Sequence, residues 1–144
     1  MKRALFIGRS GCGKTTLSQT LLGLPQVYRK TQSIHVLGDE EIIDTPGEYL
    51  ERKSFFKALT VTALDCDCIV ILLDVMDAQI SIPPMIAGIF ARPVIGVVSK
   101  VDLTDDERVL ADAEGNLRMA GCDPVIRVSC KTGQGIEELR QLLS

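Results

Sequence analysis

A glycine-rich run follows the first apolar segment of the chain. It comes directly after Ala4 to Ile7 and reads Gly8-Arg9-Ser10-Gly11-Cys12-Gly13-Lys14-Thr15. Glycines let a loop turn its backbone N–H groups inward, and a following helix aims the positive end of its dipole at the same point. Lys14 is placed to pair with the β- and γ-phosphates, and the Thr15 hydroxyl to coordinate magnesium. The run therefore predicts a strand, loop and helix that bind a nucleoside triphosphate.

A second signal is a carboxylate followed three positions later by a glycine, in Asp44-Thr45-Pro46-Gly47 at the end of a predicted strand. By itself this pattern is a common turn. Because it follows a phosphate-binding loop, it predicts that Asp44 holds magnesium through water and that the Gly47 N–H reaches the γ-phosphate. Such a contact lasts only as long as that phosphate does, so the segment is a candidate switch.

Two later motifs concern the nucleotide base, and each follows a predicted strand. In Ser99-Lys100-Val101-Asp102 the Asp102 carboxylate can accept from the N1–H and amino group of guanine, whereas adenine presents a lone pair at N1. Lys100 would lay its aliphatic stem against the base. In Ser129-Cys130-Lys131 the Cys130 N–H is placed to meet the guanine O6 acceptor, and this tripeptide is supported only by its position.

Composition restricts the class of protein. With 144 residues, 46% of them hydrophobic, and a net charge of −3, we predict a single domain spanning residues 1–144. No basic block with interleaved aromatics is present, which argues against a nucleic-acid partner. No apolar run approaches the length of a membrane span, and the run before the glycine loop is too short for a signal peptide. These features predict a cytoplasmic protein with no membrane partner.

The cysteines lack the spacing of zinc ligands, since there is no second ligand pair and His35 is the only histidine. We therefore expect reduced, buried thiols. Cys12 is the exception, because a thiol beside an anion-binding loop would have a lowered pKa and react with alkylating agents. The five cysteines are Cys12, Cys66, Cys68, Cys122 and Cys130.

The elements that must position these motifs alternate along the chain. Short β-branched runs alternate with segments of helical periodicity, which is typical of a parallel sheet flanked by helices. The predicted strands are residues 3–7, 33–37, 41–43, 68–74, 94–99 and 124–128. Gly38 and Asp39 separate the second strand from the third, which predicts an antiparallel hairpin.

The predicted helices are residues 14–22, 51–64, 83–90, 105–120 and 135–143. Pro83 or Pro84 suits the first turn of the third helix, and Thr104 with Glu107 predicts a capping box at the start of the fourth.

The motifs together resemble those of small GTPases of the translation-factor-like superclass, which read phosphate loop, switch threonine, Asp-x-x-Gly, Asn-Lys-x-Asp and Ser-Ala-Lys. More narrowly, and over essentially its whole length, the chain is similar to the EutP/PduV family of ethanolamine- and propanediol-utilisation proteins. The narrower resemblance rests on Met1-Lys2-Arg3, Gly13-Lys14-Thr15-Thr16-Leu17, Lys30-Thr31-Gln32 and, above all, Asp44-Thr45-Pro46-Gly47-Glu48-Tyr49.

The resemblance implies a three-layer α/β P-loop NTPase fold, the small G-domain. This fold has a mostly parallel six-stranded sheet, one antiparallel edge strand and helices on both faces. It also implies GTP and GDP as ligands with Mg²⁺, and association with shell or filament proteins of a bacterial microcompartment. The resemblance leaves the oligomeric state open.

The resemblance also assigns residues. Thr31 is implied as the switch threonine, with a solvated loop threonine as the alternative. The candidate metal ligands are Thr15, Thr31 and Asp44, and the candidate catalytic residues are Lys14, Thr31 and Gly47. The candidate nucleotide-binding residues are Gly8, Arg9, Ser10, Gly11, Cys12, Gly13, Lys14, Thr15, Thr16, Ser99, Lys100, Asp102, Ser129, Cys130 and Lys131.

Two positions depart from the GTPase pattern. Ser99 replaces the asparagine that braces the base and the phosphate loop, and its shorter side chain predicts weak nucleotide affinity. Glu48 replaces a glutamine that orients water in many relatives, and its anion would be repelled by the γ-phosphate if it pointed inward. This predicts slow intrinsic turnover, unless Glu48 points away or a partner completes the site. Arg9 and Arg29 are candidate cationic stabilisers of the transferring phosphate, although exposed arginines are usually just solvated.

Two other functions fit the sequence. Phosphate-loop folds also transfer the γ-phosphoryl group to small acceptors, so a kinase acting on acetate or propionate is the first alternative. The second is a module that docks on shell proteins or filaments without catalysis, in which case Lys14→Ala would leave its recruitment intact.

Overall fold

Strands and helices alternate along the part of the chain that the computed structural model describes, which is residues 3–8, 13–22, 35–37, 42–44, 56–77 and 85–143. The strands there are β1 (Ala4–Ile7), β2 (His35–Leu37), β3 (Ile42–Asp44), β4 (Cys68–Asp74), β5 (Val94–Ser99) and β6 (Val125–Arg127). The helices are α1 (Lys14–Leu22), α2 (Phe56–Ala63), α3 (Glu107–Met119) and α4 (Ile136–Leu142). Short 3-10 helices span Val75–Asp77, Ile86–Ile89 and Val101–Leu103.

The strands form one sheet in the order β2-β3-β1-β4-β5-β6. β2 pairs antiparallel with β3, and the other neighbouring strands pair in parallel. The carboxyl ends of the parallel strands therefore meet at one edge, where open α/β sheets bind their ligands. The predicted α/β fold with a parallel sheet is confirmed, and so is the antiparallel pairing of the second and third strands.

Helices cover both faces of this sheet. β4 and β5 are buried along their whole length, as expected of central parallel strands. Alternate residues face opposite sides. The side packed by α2 and α3 receives Leu5, Ile7, Ile69, Ile71 and Leu73. The side packed by α1 and α4 receives Ala4, Phe6, Cys68, Val70 and Leu72.

α4 starts in tight contact with the end of β6. Gly135, which precedes α4, has φ 75°, and a Cβ there would lie 2.0 Å from the Arg127 carbonyl oxygen. Only glycine tolerates both this left-handed backbone and this approach. A hydrogen bond also joins the two ends of the loop between β6 and α4, since the Ser129 N–H donates to the Gln134 carbonyl at 2.9 Å.

The predicted capping box at Thr104 and Glu107 is wrong. The N-cap of α3 is Asp106, whose Oδ1 accepts from the Arg108 N–H at 2.9 Å. Thr104 lies two residues before Asp106, and its Oγ1 accepts a hydrogen bond from the Asp106 N–H at 3.1 Å. Glu107 does not reach back to a cap because Arg127 takes both of its carboxylate oxygens.

The predicted helix over residues 83–90 is also wrong as an α-helix. Its described part is the 3-10 helix Ile86–Ile89, preceded by Met85 at φ 62° and followed by extended Phe90. The Met85 and Ala87 N–H groups donate to the carbonyls of Met119 and Ala120 at the end of α3. Tertiary hydrogen bonds thus replace the continuation of a helix. Pro83, Pro84 and residues 51–55 of the second predicted helix lie outside the described residues.

Three cysteines of the described residues are buried free thiols, Cys66, Cys68 and Cys122, and Cys130 is a half-buried one. Burial raises the pKa of Cys66 to about 11 and that of Cys122 to about 12, so both thiols stay protonated and unreactive at neutral pH. The expectation of reduced thiols is confirmed at these four positions, and Cys12 lies outside the described residues. No described helix is long and apolar enough to cross a membrane.

An ion-pair cluster joins β6 to α3. Arg127 Nε donates to Glu114 Oε1 at 3.1 Å, and Arg127 Nη1 donates to Glu107 Oε2 at 3.0 Å. Hydrogen bonding to Arg127 holds the pKa of Glu107 below its usual value, and hydrogen bonds to Glu107 and Glu114 raise the pKa of Arg127. Because β6 leads directly into the loop that carries Ser129, this cluster fixes one side of the site described below.

We predict that Arg127→Met lowers the free energy of unfolding at neutral pH by about 2 kcal/mol, since it leaves the mostly buried Glu114 carboxylate without this partner. Because the pKa of Glu107 is lowered in the folded state, its ion pair stabilises the fold above the unfolded pKa. This stabilisation is lost as the pH falls below 4.5. Urea unfolding at neutral and acidic pH measures both effects. Arg108→Met, on the exposed surface of α3, is the control, and an equal loss in the two variants would contradict the prediction.

Candidate nucleotide site

A braced carboxylate lies just beyond the end of β5. Asp102 sits in the 3-10 helix Val101–Leu103, and its Oδ1 accepts from Ser129 Oγ at 2.7 Å. Ser129 is completely buried and its Oγ accepts in turn from the Thr132 N–H at 3.1 Å. Ser129 thus fixes one oxygen of the Asp102 carboxylate, while the exposed part of that carboxylate is available to a ligand.

Lys100 crosses from the end of β5 towards the loop before α1. Its backbone is left-handed, with φ 59° and ψ 37°. Its Nζ lies 3.1 Å from Asp74 Oδ2, and its Cε would lie 3.8 Å from a Cβ built on Gly13. The stem of Lys100 therefore spans from the glycine loop to the end of β4.

Asp102 and Lys100 line a pocket of about 300 Å³ at the carboxyl edge of the sheet. The lining residues are Gly13, Thr16, Leu17, Ser99, Lys100, Asp102, Leu103, Val128, Cys130 and Lys131. Apolar side chains on its walls and a few polar groups between them are typical of a site for a flat aromatic base. The structure thus brings together the predicted residues after β5, those after β6 and the end of the glycine loop.

Three lining residues, Leu17, Leu103 and Val128, and the lysine partner Asp74 were missed by sequence reasoning. Leu17 and Val128 have the apolar character of core residues, and both do belong to the hydrophobic core. Leu103 is 56% exposed, and its place beside Asp102 was the available signal. Asp74 ends an apolar strand as its only charge, and a carboxylate at the carboxyl end of a buried strand could have been noticed.

The predicted phosphate end of the site begins at Gly13. Its φ of 98° is a conformation that favours glycine, and its carbonyl accepts the first hydrogen bond of α1, from the Leu17 N–H at 2.8 Å. Lys14 and Thr15 form the first turn of α1, where helix N–H groups and the helix dipole favour an anion. Gly8 is buried at the end of β1. The predicted residues Arg9, Ser10, Gly11 and Cys12 lie outside the described residues.

The backbone also brings two candidate metal ligands to this edge. Asp44 is the last residue of β3 and pairs with Phe6 of β1, while Thr15 follows β1 in the first turn of α1. A carboxylate and a hydroxyl are the hard oxygen donors that Mg²⁺ prefers, so these two residue types fit that ion. Thr31, Gly47, Glu48 and Arg29 lie outside the described residues. Within the described residues no group of three or more His, Cys, Asp or Glu side chains could hold another metal.

Cys130 brings a half-buried thiol to the pocket wall. Burial raises the pKa of this thiol, and the neighbouring Asp102 charge raises it further, while a hydrogen bond with Thr20 opposes the shift. The Thr20 hydroxyl also donates to the Thr16 carbonyl at 2.8 Å. The thiol is therefore neutral at physiological pH and links the loop after β6 to α1.

We predict that Ser129→Ala weakens guanine-nucleotide binding about tenfold, because Asp102 loses one charge-assisted hydrogen bond that fixes its carboxylate. Fluorescent GDP titration measures the change. Ser129→Thr keeps the hydroxyl and serves as the matched comparison, with the unfolding midpoint reported for both variants. An affinity unchanged in Ser129→Ala would show that Asp102 needs no brace.

Comparison with known proteins gives one family model matching residues 1–144, described as "Ethanolamine utilisation - propanediol utilisation". The chain is 38% identical over 139 residues to "Propanediol utilization protein PduV" of Citrobacter freundii, covering 96% of this chain and 91% of that protein. It is 32% identical over 145 residues to "Probable acetate kinase EutP" of Escherichia coli (strain K12), covering 100% of this chain and 90% of that protein.

A crystal structure of Era in complex with MgGDPNP and a segment of 16S ribosomal RNA has the same fold as this chain. It superposes with a TM-score of 0.70 at 21% sequence identity, covering 99% of this chain and 55% of Era. The chain thus spans about half the length of Era. At this identity the likeness concerns the fold, which is the α/β G-domain of P-loop proteins.

Proposed function

The chain belongs to the EutP/PduV family of ethanolamine- and propanediol-utilisation proteins, and on that premise we propose that it is a guanine-nucleotide-binding protein. It binds GTP and GDP with Mg²⁺ and hydrolyses GTP slowly, switching conformation with the γ-phosphate. It acts in the cytoplasm, in association with the shell or filaments of a microcompartment.

One observation supports the proposal most: the Asp102 carboxylate, held at 2.7 Å by Ser129, lines the same pocket as Gly13. Guanine offers two donors in the geometry that a single carboxylate accepts, and adenine does not. Leaving such a carboxylate unpaired on binding the wrong base is unfavourable, so the arrangement supports a preference for guanine over adenine. The Era complex with MgGDPNP supports the same class of ligand on the same fold.

Hydrolysis would depend on positioning and electrostatics. Lys14 and the N–H groups around Gly13 would stabilise negative charge on the phosphates, while Thr15, Thr31 and Asp44 would hold the metal and the Gly47 N–H would contact the γ-phosphate. Bound Mg²⁺ would supply positive charge that offsets the negative charge of the phosphates. Water attacks the γ-phosphorus in line with the leaving β-phosphate oxygen.

Two residues of this chain argue for weak binding and slow turnover. Ser99 ends β5 where GTPases have asparagine, and its short side chain gives less support to the base. Glu48 stands where a water-orienting glutamine is common, and its charge opposes approach to the γ-phosphate. We expect hydrolysis well below about one turnover per second without a partner.

A second candidate is an acyl kinase, favoured by the name of the Escherichia coli relative, "Probable acetate kinase EutP". In that reaction a carboxylate oxygen of acetate or propionate attacks the γ-phosphorus and the bond to the β-phosphate oxygen breaks. The products are an acyl phosphate and the nucleoside diphosphate. The pocket and the phosphate end would act as in hydrolysis, with the acceptor in the place of water.

One assay separates the two reactions. The purified chain is incubated with Mg²⁺ and GTP or ATP, with and without acetate or propionate, while inorganic phosphate is measured and hydroxylamine traps any acyl phosphate. The proposal predicts slow phosphate release from GTP that the acids do not change, and no hydroxamate. Hydroxamate formed by the wild-type chain and lost in Lys14→Ala would establish the kinase instead.

A further inference from the structure

The ion pair between Asp74 and Lys100 joins the ends of β4 and β5. Asp74 and Ser99 pair across these parallel strands, so Lys100 lies one residue beyond the register partner of Asp74. Asp74 is only 8% exposed. Both of its oxygens are used, since Oδ1 accepts from the Met76 N–H at 2.9 Å and Oδ2 lies 3.1 Å from Lys100 Nζ.

A buried carboxylate that is anchored by a backbone N–H is a fixed counter-ion. Its Met76 contact sets the orientation of the group and points the second oxygen at Lys100. A lysine stem has many rotamers, and an unanchored one would lose much freedom if a base packed against it. The ion pair with Asp74 restricts the rotamers of Lys100 before any ligand binds, so the Lys100 stem is preorganised.

The backbone of Lys100 points to the same role. A left-handed conformation is unfavourable for a residue with a side chain and persists where the surroundings over-determine it. Here it sends the stem over Gly13 and along the pocket wall. The ammonium at the end of this stem pairs with Asp74.

We propose that Asp74 is a positioning residue for nucleotide binding: its carboxylate holds the Lys100 ammonium so that the Lys100 stem forms a rigid, neutralised wall of the base pocket over Gly13. This inference rests on the proposed function, because it concerns the same pocket. Asp74 touches neither base nor phosphate in this scheme and acts only through Lys100. Substitution of Asp74 should therefore weaken nucleotide binding by the same factor, whatever the number of phosphates.

The test measures affinities and dissociation rates of fluorescent GDP and of a non-hydrolysable GTP analogue. Asp74→Asn should bind both about tenfold more weakly, chiefly through faster dissociation, since a charge-assisted contact is lost. Asp112→Asn removes the same charge from the exposed face of α3 and should bind like wild type. Unfolding midpoints without nucleotide show whether each variant is folded, and a purely structural ion pair would lower the midpoint while leaving the affinity of folded protein unchanged.

Lys100 variants test the inference from the lysine side of the ion pair. Lys100→Arg keeps a charge within reach of Asp74 and should stay within about threefold of wild type, whereas Lys100→Met keeps an apolar stem without the charge and should lose about tenfold. In the Lys100→Met background, Asp74→Asn should add less than about twofold. Equal affinity of Lys100→Arg and Lys100→Met would overturn the inference, as would an undiminished effect of Asp74→Asn in that background.

The outcomes also separate this inference from the proposed function. A folded wild-type chain that binds no purine nucleotide would overturn both. Wild-type binding of GDP that Asp74→Asn leaves unchanged would overturn the role of Asp74 alone.

Discussion

Asp102→Asn is expected to move the base preference of the chain from guanine to xanthine. Guanine donates from N1–H and from its amino group to one carboxylate, and an amide can accept only one of these bonds while its own NH₂ group faces the amino group. Loss of charge-assisted bonds at both positions should weaken GDP binding by at least about 100-fold. Xanthine has an oxygen in place of the amino group and can accept from the new amide, so binding of xanthosine diphosphate should strengthen.

Competition between GDP and xanthosine diphosphate for a fluorescent nucleotide measures this change directly. Asp112→Asn is the charge-matched control and should keep the guanine preference. Because Ser129 Oγ can still donate to the amide oxygen, the side chain should stay in place and the unfolding midpoint should change little. A guanine preference that survives Asp102→Asn would remove Asp102 from the base pocket.

Lys14→Ala has the second large expected effect, on the phosphate end. Lys14 stands in the first turn of α1, directly after the left-handed Gly13, and its ammonium would pair with the β- and γ-phosphates. Removal of that cation should weaken GTP binding by at least about 100-fold and GDP binding by less, because the γ-phosphate carries much of the charge. Arg118→Ala removes a positive charge at the far end of α3 and serves as the control.

Equilibrium titration with both nucleotides gives the ratio of the two losses. A Lys14→Ala variant that is folded and binds GTP as wild type does would contradict the assignment of the glycine-rich run as the phosphate site. An equal loss for GDP and GTP would restrict the contact of Lys14 to the β-phosphate.

Local signals predicted the features that depend on neighbouring residues in the chain. The run of Cys68–Asp74 and the run of Val94–Ser99 are continuous apolar segments, and both have the strand bounds that the sequence predicts. Lys100 and Asp102 follow the second run and lie at the carboxyl edge of the sheet, because β4 and β5 pair in parallel and end side by side. Composition and spacing were sufficient for this step.

Other features depend on partners that are distant in the chain. Asp74 reads as the end of a buried strand until the register shows that Lys100 lies beside it. The Thr104 and Glu107 pattern matched a local motif, but Arg127 lies twenty positions from Glu107 and competes for its carboxylate. The 3-10 helix Ile86–Ile89 is likewise set by carbonyls at the end of α3. Tertiary hydrogen bonds override local preference in the latter two cases, and sequence periodicity carries no trace of them.

Calorimetric titration of the purified wild-type chain with GDP, GTP and ATP, each with and without Mg²⁺, decides whether the pocket beside Asp102 is a guanine-nucleotide site. We expect dissociation constants for GDP and GTP in the micromolar range, tighter GTP binding with Mg²⁺, and no measurable binding of ATP. A nanomolar dissociation constant would refute only the weak affinity attributed to Ser99. A folded chain that takes up no purine nucleotide, or that binds ATP as tightly as GTP, would contradict the guanine-nucleotide site itself.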